Sequence, residues 1–489
     1  MKVLYSKSVV KNDVVIPLLT LYIKVYSSTN NKEGIAMRIN RSQKISLFAL
    51  LVLFFFPVLI HSQKINWQEV EDRTVQLFRQ YLAINTCNPP GDVAAAGEFF
   101  RAIFEKEGVP VELIWTNKNT GRVNVLARLR GSGKKRPLML LNHMDTVPVD
   151  RSGWSVDPHA ALKKDGYIYG RGALDMKNFG IVQFMTTLLL KKNNIALDRD
   201  VIFLAVADEE TTGTLGSAWI VRNKWEEINA EYVLDEGGFG TQGFFTKDMR
   251  LIFSVGVAEK KVLWLKLSAS GPSGHGSMPL KENANFIMVQ ALSRVASHVT
   301  PIHITPPVAE MIRRLGKLAD TPYNNALQRN TISLTVTNGF VGNPPKSNVI
   351  PGKAEAVLDC RLLPDQDQNE FVSKLKKIID DPRVKFNYIE RPIESIVSPY
   401  DTELFKVIEE ETKAVFPDSI TVPHLVIYGT DSRFFRRKGA SCYGFFPGPV
   451  TMEEYKTIHG NDERIREDSL RTAVRIYYNV VKSFCEAKK

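Results

Sequence analysis

Only four cysteines occur in 489 residues, Cys87, Cys360, Cys442 and Cys485, and none forms a Cys-x-x-Cys pair. That excludes a thiolate zinc site and a dense disulfide framework, and leaves room for one disulfide in an oxidising compartment. No low-complexity tract and no Pro- or Gly-dominated segment is present, so a long disordered arm is not expected. Positive charge is scarce where it would matter: of the net +11, residues 1–63 carry +6, leaving +5 for the other 426. No basic run in that remainder is dense enough to follow a phosphate backbone, which argues against nucleic-acid binding. The one sustained apolar run, Ile45–Ile60, is sixteen residues long, short of the roughly 20 that a membrane-spanning helix needs.

That run does have a signal-peptide layout. Arg38, Arg41 and Lys44 precede it and the small, polar His61-Ser62-Gln63 follows. The expectation is a secreted or secretory-pathway lumenal protein, with a retained signal anchor as the alternative and membrane association only in that case. Met37 could be the true start, since the residues before it fit neither design; the earlier apolar patch Val14–Tyr26 is broken by Lys24. The sole Asn-x-Ser/Thr sequon, Asn40-Arg41-Ser42, lies in this leader.

What is present reads as α/β. Hydrophobic residues at 44% and charged residues at 24% suit a globular chain, and its length suits two or three domains. Gln68 to Ile84 has amphipathic helical spacing, and Leu138–Asn142, Val201–Val206 and Tyr232–Leu234 are apolar runs that end abruptly in polar residues, as buried strands of a mostly parallel sheet do. From 259 to 392 the order becomes strand Lys261–Ala269, helix Asn283–His298, strands Thr331–Thr337 and Ala354–Arg361, helix Asn369–Ile379, strand Val384–Ile389, a ferredoxin-like βαββαβ unit. Residues 300–330, with four prolines, interrupt it. A helix from Asp401, a strand at His424–Tyr428 and a helix from Asp468 to Ala487 then resume the first pattern. The expected organisation is a leader at 1–63, a catalytic domain from 64–258 and 393–489, and an inserted domain at 259–392.

Five clusters carry chemistry. His143 and Asp145 stand two apart at the end of an apolar run, on one side of a strand. A carboxylate beside a metal-binding histidine fixes its tautomer, and Asp145 is placed to do so; a solvated loop histidine is the plainer reading. In Gly170-Arg171-Gly172-Ala173-Leu174-Asp175 the glycines admit backbone to a crowded centre, and one carboxylate can bridge two metal ions, unless Asp175 only caps the next helix. Asp208-Glu209-Glu210 follows a strand, and three adjacent acids repel unless cations neutralise them. Asp235-Glu236-Gly237-Gly238 closes another strand and His459-Gly460 precedes the last helix; each alone could be an ordinary turn. Three strands ending in His, Glu-Glu and Asp at one sheet edge, where parallel sheets bind ligands, together read as a binuclear metal site.

These motifs resemble the M20 metallopeptidases, which include aminoacylases, carnosine dipeptidases and carboxypeptidase S, over residues 66–485. Within that family Asp235-Glu236-Gly237-Gly238, Gly429-Thr430-Asp431-Ser432-Arg433-Phe434-Phe435, Ile458-His459-Gly460 and the insertion near 300–330 are similar to the carboxypeptidase S and N-fatty-acyl-amino-acid synthase/hydrolase branch. The resemblance implies a zinc-exopeptidase-like sheet flanked by helices, with residues 259–392 as a lid and dimerisation domain. It implies two zinc ions per subunit: His143 and Asp235 hold one, Glu210 and His459 the other, and Asp175 bridges, the acid matching Glu236 serving in some members. Asp145 would orient His143, and Glu209, beside a ligand yet free of metal, would be the general base. His275, in Gly271-Pro272-Ser273-Gly274-His275-Gly276-Ser277, would reach the other subunit of a homodimer and stabilise a tetrahedral oxyanion. Asn348 and Arg361 resemble the readers of a substrate carboxylate, which suits the planar arginine fork. A turn histidine and a surface arginine are the plainer readings.

The expected activity is hydrolysis of an amide beside a free carboxylate, on N-acyl amino acids such as N-fatty-acyl amino acids, and condensation when both products abound. A carboxypeptidase or dipeptidase acting on short peptides is the alternative, separated by an apolar or a polar cavity. A scaffold that has lost its chemistry is opposed by the complete set of seven metal and base side chains.

Overall fold

In the computed structural model the described residues run from 65 to 488, so the expected leader at 1–63 lies outside them. Among the described residues no helix is long and apolar enough to cross a membrane. The first element is the helix Trp67–Leu82, whose N-terminus is capped by Asn66 accepting from Glu69 N–H at 3.4 Å. Its Val75, Phe78, Tyr81 and Leu82 recur at three- and four-residue steps and are buried.

Eight strands form the large sheet: β1 Val111–Asn117, β2 Arg122–Leu129, β3 Lys135–His143, β4 Arg199–Val206, β5 Tyr232–Thr241, β6 Ile252–Glu259, β11 Ile420–Val426 and β12 Ser441–Pro449. Their order is β1-β2-β4-β3-β5-β12-β6-β11. The central strands β4, β3, β5 and β12 are parallel, with antiparallel neighbours beside them. The alternation of the strand pleat sorts the side chains: Leu138 and Leu140 face one apolar core, Met139 and Leu141 the other. Helices Lys177–Lys192 and Glu467–Cys485 pack together on the first core. The former is buried on nearly every face and so shows little amphipathic spacing.

A second sheet of four antiparallel strands, β7 Lys261–Ser270, β8 Thr331–Asn338, β9 Lys353–Leu362 and β10 Lys385–Glu390, has the order β8-β9-β7-β10. Helices Ala284–Ser297 and Gln368–Ile379 share its core with Leu263, Leu265, Leu267 and Leu358. This is the expected βαββαβ order. The 300–330 segment forms two helices, Pro306–Leu315 and Pro322–Leu327, each opened by proline at the first helical position. The first of them lies against β11, burying Val308 and Met311 in one cluster with Val422 and Leu425.

β3 and β4 end level with one another at His143 and Val206, whereas β5, expected to close at Asp235-Glu236, runs on to Thr241. The β3–β4 register continues to His143 opposite Val206, whereas the β3–β5 register stops at Leu140 opposite Leu234 although both strands continue. A crevice therefore opens between β3 and β5.

Candidate metal centre

His143 ends β3, and its ring sits at the edge of that crevice. Its Nδ1 lies 2.8 Å from the carbonyl oxygen of Asp145, which can only accept, so Nδ1 carries the hydrogen and Nε2 faces Asp175 Oδ1 at 3.1 Å. Asp145 thus holds the ring through its backbone, its carboxylate being 3.7 Å away. That carboxylate instead accepts from Glu209 N–H at 3.1 Å, Glu210 N–H at 3.3 Å and Asn88 Nδ2 at 2.8 Å, fixing the turn after β4.

Two ligand sets share Asp175. His143, Asp175 and Glu236 each offer a ligand atom within 4.8 Å of the others, and so do Asp175, Glu210 and His459. Asp175 Oδ1 faces His143 and Oδ2 faces His459 Nε2 at 3.0 Å, which in turn lies 3.4 Å from Glu210 Oε2. Glu210 is steadied by Val147 N–H at 3.1 Å. One carboxylate between two such sets is the donor arrangement a pair of divalent cations requires, and imidazole with carboxylate suits zinc.

The structure departs from the expectation at Asp235. Successive residues of a strand face opposite sides, and Asp235 turns to Ser432, accepting its hydroxyl at 2.7 Å, while Glu236 joins His143 and Asp175. Gly444 on β12 lets Glu236 sit there, since a β-carbon at that position would overlap the Glu236 carbonyl.

Glu209 belongs to neither set and lines the same cavity. Burial, reinforced by Asp431 and Glu210 and opposed by His143, pushes its carboxyl well above the usual range. His459 is pushed up to about 10 by its contacts with Asp175 and Glu210. Of the three adjacent acids, Asp208 is spent on structure: it takes a left-handed φ of 74° and accepts from Thr211 Oγ1 and Leu215 N–H.

Glu463 was invisible from sequence. Fully buried, it accepts from Arg171 Nη1 at 2.7 Å and Gly172 N–H at 3.0 Å on Oε2, and from Leu174 N–H at 2.8 Å and Asp175 N–H at 3.2 Å on Oε1. It shapes the loop that presents Asp175. Only its place four residues after His459 could have drawn attention to it.

A cavity of about 660 Å³ opens on this centre, walled by Leu174, Phe179, Phe239, Tyr428 and Tyr455 from the large sheet side and by Trp264 of β7. Arg361 lines it too, held by Asp359 at 2.7 Å. His275 and Asn348 do not line it. They are neighbours on an exposed two-strand ladder, where Gly276 N–H donates to Asn348 O at 2.7 Å and His275 pairs with Val349.

The fold and its shared-carboxylate ligand sets define a metal-dependent hydrolase. The chain belongs to peptidase family M20/M25/M40, whose sequence model matches residues 139–483. It is 30% identical over 380 residues to the human N-fatty-acyl-amino acid synthase/hydrolase PM20D1, covering 71% of this chain and 74% of that protein. A probable carboxypeptidase S-like 2 of Dictyostelium discoideum is 28% identical over 71% of this chain and 72% of its own. The M20 family metallo-carboxypeptidase Sso-CP2 of Sulfolobus solfataricus superposes with a TM-score of 0.65 at 21% identity, over 84% of this chain and 99% of that one.

Proposed function

We propose that the protein is a di-zinc amidohydrolase acting on N-acyl amino acids, N-fatty-acyl amino acids among them, next to their free carboxylate, and able to run in reverse. The observation that carries this is the cavity: a wall of leucine, phenylalanine, tyrosine and tryptophan beside the shared ligand sets suits an acyl chain. The similarity to the human synthase/hydrolase supports the same reading. His143, Asp175 and Glu236 would hold one zinc ion, and Asp175, Glu210 and His459 the other. Zinc held there supplies Lewis acidity that lowers the pKa of water and polarises an amide carbonyl.

Glu209, which lines the cavity outside both ligand sets, takes a proton from the attacking water and delivers it to the leaving nitrogen as the carbon–nitrogen bond breaks. The water oxygen stays with the acyl carbon, giving a fatty acid and an amino acid. Residues 64–258 and 393–489 make the catalytic domain, and 259–392 the lid and dimerisation domain. The exposure of His275 and Asn348 fits delivery of both to a second copy's site. The leader sends the protein into the secretory pathway.

The alternative, a carboxypeptidase acting on short peptides, is supported by the Dictyostelium relative. Purified full-length protein offered N-oleoyl-phenylalanine and a dipeptide panel separates them. Faster turnover of the acyl amino acid supports the proposal, and faster turnover of dipeptides replaces it with the carboxypeptidase reading.

A further inference from the structure

The two walls of the cavity differ in kind. The wall from the smaller sheet carries charge: Lys261 on β7, Arg361 on β9 and, at the end of β10, Glu390 and Arg391. The opposite wall is apolar and is tied to the ligand sets. Phe179 lies four residues after Asp175 and Tyr455 four before His459. Phe239 meets both, its ring centroid 5.6 Å from Phe179 and 6.1 Å from Tyr455. An acyl chain leaving the reacting carbonyl finds its apolar surface along this row.

Tyr455 is where the row meets the 300–330 insertion. Its helix, Met452–Tyr455, is fixed by a capping box between Thr451 and Glu454, and its carbonyl accepts from Ile458 N–H at 3.2 Å, so the ring is tied to the turn that presents His459. Behind it stand rings that do not line the cavity: Phe244 at 5.0 Å and Tyr323, on the insertion helix Pro322–Leu327, at 6.2 Å. Tyr323 stacks on His424 of β11 with its hydroxyl 3.0 Å from Nε2, and both pack against Phe245. Burial pushes His424 down to about 3, so its ring is neutral and packs as one more aromatic. Phe244 and Phe245 share their cluster with Val308, Met311 and Leu327 of the insertion, and Tyr323 and Tyr455 lie against it. With rings in contact behind it, Tyr455 has no room to swing back from the cavity.

We propose that Tyr455, backed by Tyr323, is the stop that limits the length of acyl chain the cavity accepts. Tyr455 is the specificity residue, and Tyr323, outside the cavity, is a positioning residue that acts through it. The inference rests on the amidohydrolase reading, since it needs an acyl chain on the scissile amide.

The test is a chain-length series, N-acetyl- to N-stearoyl-phenylalanine, on the zinc-loaded full chain, read as kcat/KM. In the unaltered enzyme each methylene that finds apolar wall should raise kcat/KM by about three- to fourfold, up to a break beyond which longer chains gain nothing. In Tyr455→Ala the break should move to chains longer by at least about two methylenes, which the space left by the ring accommodates, and in Tyr455→Trp to shorter ones. Either variant decides alone if the other fails to fold. Tyr323→Ala should move the break in the same direction as Tyr455→Ala, and Tyr323→Phe, which keeps the ring, should leave it in place. A break at an unchanged length in the folded Tyr455 variants would overturn the proposal. So would a Tyr323→Ala that lowers kcat/KM by one factor at every length, the mark of a merely structural role. A series without a break in the unaltered enzyme removes the stop and leaves the amidohydrolase reading standing, whereas no cleavage of any member removes that reading and this inference with it.

Discussion

Replacing Glu463 should damage the protein more than any exposed acid would, and the isosteric Gln should be nearly as harmful as Ala. The carboxylate accepts four hydrogen bonds, two on each oxygen, from Arg171, Gly172, Leu174 and Asp175. A glutamine side chain turns one of those oxygens into a donor aimed at two donors. Removing one member of a buried ion pair costs about 3–5 kcal/mol, so about 4 kcal/mol is expected for Glu463→Gln. At roughly 2.1 cal/mol/K per residue, the chain unfolds with an entropy of about 0.9 kcal/mol/K, and the melting temperature should drop by about 4–5 °C. The exposed pair Lys374–Glu370 is the control: Glu370→Gln should shift melting by about 1 °C or less. Because Glu463 also holds the Asp175 amide, zinc affinity in a competition titration should weaken by about 10–100-fold. Calorimetric melting within about 1 °C of the unaltered protein, together with unchanged zinc affinity, would refute the reasoning.

Glu209→Gln should retain its zinc while kcat falls by about 10²–10⁴-fold; full activity with metal bound would remove the general base. Glu236→Gln should lose one of two zinc ions on dialysis and Asp235→Asn should keep both, as read by metal analysis; the reverse result would return Asp235 to the ligand set. His459, raised to about 10, holds a proton at neutral pH that an arriving cation must displace. Apparent zinc affinity should therefore rise with pH between about 6 and 9, with proton release seen by calorimetry in buffers of different ionisation enthalpy. A flat affinity with no dependence on buffer would contradict that sign.

The candidate ligands that the structure brings together, His143, Asp175, Glu210 and His459, were legible because chemistry and topology coincide in them. His143 and Glu210 each follow a run of apolar strand residues, so a sheet edge could be inferred before any coordinates. The βαββαβ unit was equally readable, since its amphipathic helices and alternating strands have clear periods. Asp235 and Glu236 could not be ordered, because a strand presents adjacent residues to opposite sides and the contact that takes up Asp235 comes from Ser432, nearly two hundred residues away. β12 has no counterpart among the expected strands, and it needs glycine at Gly444, where it presses on β5. Asn88 and Glu463 act through partners remote in sequence, and no local pattern announces that.

The most direct test of the two-metal account joins stoichiometry to activity on the full chain. Exhaustive chelation should abolish hydrolysis of N-oleoyl-phenylalanine, and zinc titrated back should restore it with an end point of two ions per chain. Full activity in metal-stripped protein, or an end point at one ion, would contradict it.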